Sequence, residues 1–245
     1  MKVGFFSVKP YDIDQFDRIN QTFGLQIEYF DYRLCMQTVR LAYGFEVICA
    51  FVNDSLSEEV LIELSENGTK VIAMRCAGFN NVDLEVAKKL NLRVVNVPSY
   101  SPESVAEHTV ALMLTLNRKI HKAYQRTRDA NFSLTGLVGF NMQNRNVGVI
   151  GTGRIGLATI KVLLGFGCHV FAHDPYPNQA VLDLGVEYVP LEKIFMACDI
   201  ISLHCPLTSE NHHLLNRESF SRMKPGVMVI NTSRGGLLNA LDAIE

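Results

Sequence analysis

The chain of 245 residues lacks the features that would place it outside the ordinary globular class. No apolar stretch approaches the roughly 20 residues that cross a bilayer, so no membrane-spanning segment is expected. The N-terminus, MKVGFFSVKPYDID, turns polar before an apolar stretch of signal-peptide length can form, and it is expected to open on a strand. Net charge is only −2 and no basic run has the density of a nucleic-acid site, which excludes nucleic acid as a partner. The six cysteines (Cys35, Cys49, Cys76, Cys168, Cys198 and Cys205) show no C-x-x-C spacing. Most lie in apolar runs, which fits reduced thiols in a cytoplasmic protein and leaves no set for a structural metal. With 48% hydrophobic and 20% charged residues, the length allows one or two domains with substantial cores.

What is present is concentrated between Asn146 and Asp174, in NVGVIGTGRIGLATIKVLLGFGCHVFAHD. Val147 to Ile150 is a short apolar run of the kind that a parallel strand buried on both faces requires. Gly151-Thr152-Gly153-Arg154-Ile155-Gly156 then fits G-x-G-x-x-G. Gly151 permits a tight turn, Gly153 allows backbone to approach a pyrophosphate, and Gly156 allows close helix–strand packing. The helix that follows offers unpaired N–H groups and its positive dipole end to phosphates. A second strand, His169 to Ala172, leads to Asp174, eighteen residues beyond Gly156 and placed to accept from a ribose diol. A carboxylate there repels a 2′-phosphate, so the expected cofactor is NAD.

Residues 1 to about 98 read as further β-α units without a phosphate loop. Strands are expected at Val3 to Ser7, Leu25 to Phe30, Glu46 to Val52, Lys70 to Arg75 and Arg93 to Val97. Helices are expected at Asp14 to Thr22, Leu34 to Ala42 and Ser57 to Asn67, the last with a capping-box start in Ser55-Leu56-Ser57-Glu58 and Gly68 past its end. Such alternation implies a flavodoxin-like parallel sheet. Pro98-Ser99-Tyr100-Ser101-Pro102 breaks the rhythm. Ser101 can cap, and Pro102 can open, a long linker helix through Ala106, Val110, Leu114 and Asn117. The basic segment from Lys119 to Asn131 reads as a solvated helix face, with an oligomer contact as the alternative. After the glycine loop, strands are expected at Val186 to Val189, Asp199 to Leu203 and Val227 to Asn231, and helices at Leu191 to Ala197 and Leu215 to Met223. Ligands bind at the carboxyl ends of such strands, so His204 to Thr208 and Asn231 to Gly235 are expected to face the cofactor.

Four strings taken together resemble the D-isomer-specific 2-hydroxyacid dehydrogenases: RCAGFNNVDL (75–84), VPSYSPESVAEH (97–108), GVIGTGRIG (148–156) with DPYP (174–177), and HCPLT with NTSRG. YQRTRDANFSL (124–134) brings the chain closest to the bacterial NAD-dependent D-lactate branch. The resemblance implies an α/β protein of two doubly wound parallel-sheet domains. Residues 1–99 would form the flavodoxin-like catalytic domain, and residues 100–245 a Rossmann NAD-binding domain that is incomplete in this chain. It implies an oxidoreductase moving hydride between NAD(H) and a small 2-oxo acid, most favourably pyruvate to D-lactate, and assembled as a dimer or tetramer.

Carried over by position, Arg154 and Ile155 would meet the pyrophosphate and Asp174 the ribose. Cys205 and Pro206, with Asn211 nearby, would line the adenosine side, and Thr232, Ser233 and Arg234 the nicotinamide end. Arg234 would be the catalytic guanidinium, since a planar fork pairs bidentately with a 2-oxo-acid carboxylate and Lys does not. Ala77 and Gly78 would offer N–H groups to that carboxylate, and Tyr100 would contact substrate.

The family's proton-donating histidine and its glutamate follow the NTSRG strand, and no residue of this chain matches them. His204 is the best placed internal histidine but not at the matching position. Two expectations follow. The natural product is longer, or borrows a terminus, and acts as the dehydrogenase; or the chain is an inactive NAD-binding module, a redox-responsive interaction protein of the same fold.

Overall fold

The structure, a computed structural model, describes residues 1–245 and divides into two units, Met1–Tyr100 and Ser101–Glu245. In the first, five strands form one parallel sheet: β1 (Lys2–Phe5), β2 (Gln26–Tyr29), β3 (Val47–Ala50), β4 (Val71–Met74) and β5 (Arg93–Asn96). Their order, β2-β1-β3-β4-β5, is the flavodoxin-like one. The central strand β3 is buried throughout. Val47 and Cys49 enter one core cluster while Ile48 and Ala50 enter the other, so the sheet is covered on both faces.

Three helices connect these strands: α1 (Pro10–Phe23), α2 (Glu58–Glu66) and α3 (Leu84–Lys89). α1 starts four residues earlier than the sequence suggests, because Pro10 fits its first turn, and it ends where Gly24 (φ 64°) returns its N–H to the Asn20 carbonyl. α2 forms as expected, with Gly68 at φ 100° past its end, but the anticipated capping box does not. Ser57 makes no side-chain cap; the acidic pair Glu58 and Glu59 in the first turn complements the helix dipole instead. The helix expected over Leu34 to Ala42 is reduced to a 3₁₀ turn, Val39–Ala42. Thr38 explains this, since its hydroxyl donates to the Arg33 carbonyl and accepts from the Cys35 N–H, competing with helical bonding. The sequence reading missed α3, which Asp83 starts by accepting from the Val86 N–H.

The second unit opens with α4 (Pro102–Arg118), capped by Ser101 through the Ser104 N–H, an arrangement that contributes ~1 kcal/mol. α4 belongs to this unit, packing on α6 and β10 defined below, so it is a layer of the fold and not a free linker. α5 (Ile120–Arg128) buries no residue, in keeping with a solvated face. The order then runs β6 (Asn146–Ile150), α6 (Arg154–Gly165), β7 (His169–His173), α7 (Gln179–Leu182), β8 (Glu187–Tyr188), α8 (Leu191–Ala197), β9 (Ile200–Leu203), α9 (Arg217–Ser221), β10 (Met228–Asn231) and α10 (Ala240–Ile244). α9 is shorter than expected because Leu215 bridges to Leu238 and does not enter the helix.

The second sheet is parallel, in the order β10-β9-β6-β7-β8. Counted from β6, this is the doubly wound order with its reversal beside β6, where β7 and β8 lie to one side and β9 and β10 to the other. β10 is an edge strand that pairs with β9 alone. No helix of either unit is long and apolar enough to cross a membrane.

Candidate active site

At the end of β6 the chain turns through Gly151 at φ 95°. A Cβ there would meet the Cys205 nitrogen at 2.4 Å and the His204 carbonyl carbon at 2.6 Å, so the turn after β6 and the end of β9 interlock through bare backbone. A Cβ on Gly156 would stand 2.0 Å from the Gly151 carbonyl oxygen; glycine lets α6 start flush against the strand it leaves. Gly153 differs. It is exposed, caps α6 in extended backbone, and a Cβ would meet nothing within 4 Å. The open space beside Gly153, the exposed Arg154 and the half-buried Ile155 surround the helix N-terminus, where N–H groups lack intrahelical partners.

Asp174 follows β7. Its Oδ2 accepts from the Thr152 N–H at 2.7 Å and the Thr152 hydroxyl at 3.0 Å, and its Oδ1 accepts from the Tyr176 N–H at 2.9 Å. Burial alone would raise this carboxyl, but the Thr152 and Tyr176 N–H groups and the Thr152 hydroxyl outweigh it and hold the group below its ordinary value. An ionised acceptor therefore stands just past the carboxyl end of β7.

Beyond the reversal, β9 leads into His204, whose N–H donates to the Ile150 carbonyl at 2.7 Å. Asn211 folds the following loop: it accepts from the Thr208 N–H at 2.7 Å and donates to the Pro206 carbonyl at 2.8 Å. At the end of β10, Asn231 accepts from the Ser233 N–H at 3.0 Å and donates to the Arg234 carbonyl at 2.8 Å. The Ser233 hydroxyl donates to the Cys205 carbonyl at 2.5 Å, and the Thr232 and Thr109 hydroxyls share a hydrogen bond of 2.8 Å. Arg234 Nη1 donates to the Ser233 carbonyl at 3.0 Å. The twelve cofactor-side residues singled out in the sequence thus gather at one carboxyl edge of one sheet.

Ala77, Gly78 and Tyr100 belong to the first unit. The Ala77 carbonyl accepts from Asn96 Nδ2 at 2.8 Å, and the Gly78 carbonyl accepts from the Cys76 thiol at 3.1 Å. Tyr100 lines a cleft of about 300 Å³ together with Tyr11, Asp12, Phe51, Arg75 and Cys76. In the sequence Arg75 is only the last residue of an expected strand. Its guanidinium lies 4.7 Å and 4.5 Å from the Phe5 and Phe51 ring centres and donates to the Phe6 and Ser7 carbonyls, tying the first strand to the fourth. Also missed were Thr109, Tyr188 and Asn178, for which no motif gives a signal.

His204 is largely buried and shares a 2.8 Å hydrogen bond with the Ser202 hydroxyl; burial pushes its pKa down to about 4 from 6.5. Between those values the unfolded chain takes up a proton that the folded chain refuses. The contribution is therefore full above pH 6.5 and is lost as pH falls towards 4. Denaturant melts of His204→Gln should lose less stability than the parent between pH 7 and pH 4.5, the difference being on the order of 3 kcal/mol. Parallel pH curves would contradict this.

A parallel sheet with a glycine turn at its reversal, an open helix N-terminus and an ionised acid on the next strand defines a dinucleotide-binding α/β protein. The model of the D-isomer specific 2-hydroxyacid dehydrogenase NAD-binding domain matches residues 110–245. D-lactate dehydrogenase of Escherichia coli K12 is 56% identical over 245 residues, covering 100% of this chain and 74% of that protein. The chain belongs to the D-isomer specific 2-hydroxyacid dehydrogenase family. The apo structure of the Escherichia coli D-lactate dehydrogenase superposes with a TM-score of 0.92 at 56% identity, over all of this chain and 77% of that one. The Aquifex aeolicus D-lactate dehydrogenase complexed with NAD and lactic acid superposes with a TM-score of 0.88 at 34% identity, over 98% of this chain and 72% of that one.

Proposed function

We propose that these residues serve an NAD-dependent reduction of a small 2-oxo acid to the D-2-hydroxy acid, with pyruvate and D-lactate the favoured pair. The observation that carries this reading is the edge formed by Gly151–Gly156, Asp174 and Asn231–Arg234. The fit to NAD rests on the unfilled space at Gly153 and on the remaining acceptor position of Asp174. NADH, when bound there, supplies the hydride. Gly153, Arg154 and Ile155 hold the pyrophosphate, Asp174 the adenosine ribose, and Cys205 and Pro206 its adenosine side, with Asn211 shaping their loop. Thr232 and Ser233 shape the nicotinamide end, and Arg234 pairs with the carboxylate and draws charge from the carbonyl oxygen. Ala77 and Gly78 offer backbone N–H groups to an acid of the same kind, and Tyr100 bounds its side chain. Residues 1–99 are thus the substrate part and residues 100–245 the cofactor part. Six free thiols suit a cytoplasmic setting. The exposed Tyr124, Phe132, Leu134 and Val138 support assembly of copies as a dimer or tetramer.

Titration of the NADH-loaded chain with oxamate, a pyruvate mimic, tests the reading. Oxamate should bind, and Arg234→Lys should weaken it about tenfold or more, because a charged, forked hydrogen bond contributes ~1.5–3 kcal/mol. NADH affinity should change less than twofold. Oxamate binding indifferent to Arg234 would refute the assignment.

A further inference from the structure

Asp174 is held by a relay that begins on the edge strand β8. The Asn178 N–H donates to the Tyr188 phenol oxygen at 2.8 Å, the Tyr188 hydroxyl donates to Thr152 Oγ1 at 2.8 Å, and the Thr152 hydroxyl donates to Asp174 Oδ2 at 3.0 Å. Each hydroxyl has one proton, so the three bonds have a single polarity that ends on the carboxylate. Asn178 also holds Thr152 directly: its Nδ2 donates to the Thr152 carbonyl at 2.9 Å, while its Oδ1 caps α7 by accepting from the Ala180 N–H at 3.0 Å. Tyr188 itself is half-buried in a two-residue strand held beside Ala172 of β7.

The relay changes what Asp174 can accept. An ionised carboxylate has about four acceptor positions. The Thr152 N–H and hydroxyl take both on Oδ2, and the Tyr176 N–H takes one on Oδ1. One position on Oδ1 remains for a ribose hydroxyl. Tolerating a 2′-phosphate requires the carboxylate to swing away, and that motion breaks both bonds on Oδ2.

We propose that Tyr188, acting through Thr152, is a positioning residue that sets the preference for NADH over NADPH by fixing Asp174 with one acceptor site towards the ribose. This rests on the reading of the second unit as the NAD site. Tyr188 need not touch the cofactor, and no glycine-loop motif contains it.

The test uses the 245-residue chain and nicotinamide fluorescence to measure dissociation constants for NADH and NADPH. Tyr188→Phe keeps the ring and removes only the hydroxyl; it should narrow the preference for NADH about fivefold. Thr152→Val should narrow it comparably, and the double variant should go little beyond Thr152→Val, because the two residues act in one relay. Tyr188→Phe with a preference within twofold of the parent, whether or not both affinities fall, would overturn the proposal; so would full additivity of the two losses. Asp174→Ala separates the levels. If it leaves the preference intact, or if the parent binds neither cofactor, the underlying cofactor reading fails and the relay with it. If Asp174→Ala narrows the preference and Tyr188→Phe does not, only the relay fails.

Discussion

Gly153→Ala is expected to weaken NADH binding roughly thirtyfold, ~2 kcal/mol, while leaving the melting temperature within about 2 °C of the parent. The two halves of this result come from different geometry. Gly153 has φ −62° and ψ −168°, backbone that alanine adopts without strain, and the added methyl meets no protein atom within 4 Å. The fold therefore has no reason to weaken. The methyl does enter the open space at the helix N-terminus that the proposed reading assigns to a pyrophosphate, and it would hold the anion away from the N–H donors there. Gly156→Ala is the contrast, since its methyl would lie 2.0 Å from the Gly151 carbonyl and must push α6 off the turn, lowering melting temperature and affinity together. Fluorescence titration and thermal melts of both variants separate a binding glycine from a packing one.

The second large effect is on turnover. A polypeptide of these 245 residues, mixed with NADH and pyruvate, is expected to oxidise NADH two to four orders of magnitude more slowly than the Escherichia coli relative, the range that general acid catalysis contributes. Hydride delivery leaves an alkoxide that must be protonated, and no histidine here is suited to it. His204 is deprotonated near neutral pH because burial holds its pKa near 4. His173 Nδ1 bonds the Val189 carbonyl, and the rings of His212 and His213 stand 3.8 Å apart, beside each other. His108, His121 and His169 are exposed on the surfaces of their own elements. Stopped-flow absorbance at saturating NADH measures this. Oxidation at the relative's rate would place a proton donor among these residues, with His204→Gln the next variant.

Much of the fold was readable because buried parallel strands leave short apolar runs that little else in a chain imitates. Val147–Ile150 and Val47–Ala50 are such runs, and both are central strands. The 3₁₀ turn at Val39–Ala42 was not readable, because Leu34, Val39 and Ala42 carry helical spacing while Thr38 diverts the backbone through its hydroxyl. α3 escaped because a six-residue helix is shorter than two full turns of apolar repeat. In the candidate site, residues that act through backbone shape were legible: at Gly151 and Gly156 a Cβ would strike backbone, and Asp174 follows the next strand. The relay through Tyr188, Thr152 and Asn178 was not legible. Its members are brought together by the pairing of β7 with β8, and a tyrosine on an edge strand looks the same in sequence whether or not its hydroxyl has work to do. The Thr109–Thr232 pair is hidden likewise, 123 residues apart.

The most direct measurement is a fluorescence titration of the unmodified 245-residue chain with NADH, followed by displacement with ADP-ribose. The predicted result is a saturable enhancement of nicotinamide emission that ADP-ribose reverses, and that Asp174→Ala weakens. A chain that is folded by circular dichroism and yet leaves NADH emission unchanged at millimolar cofactor would contradict the dinucleotide site itself.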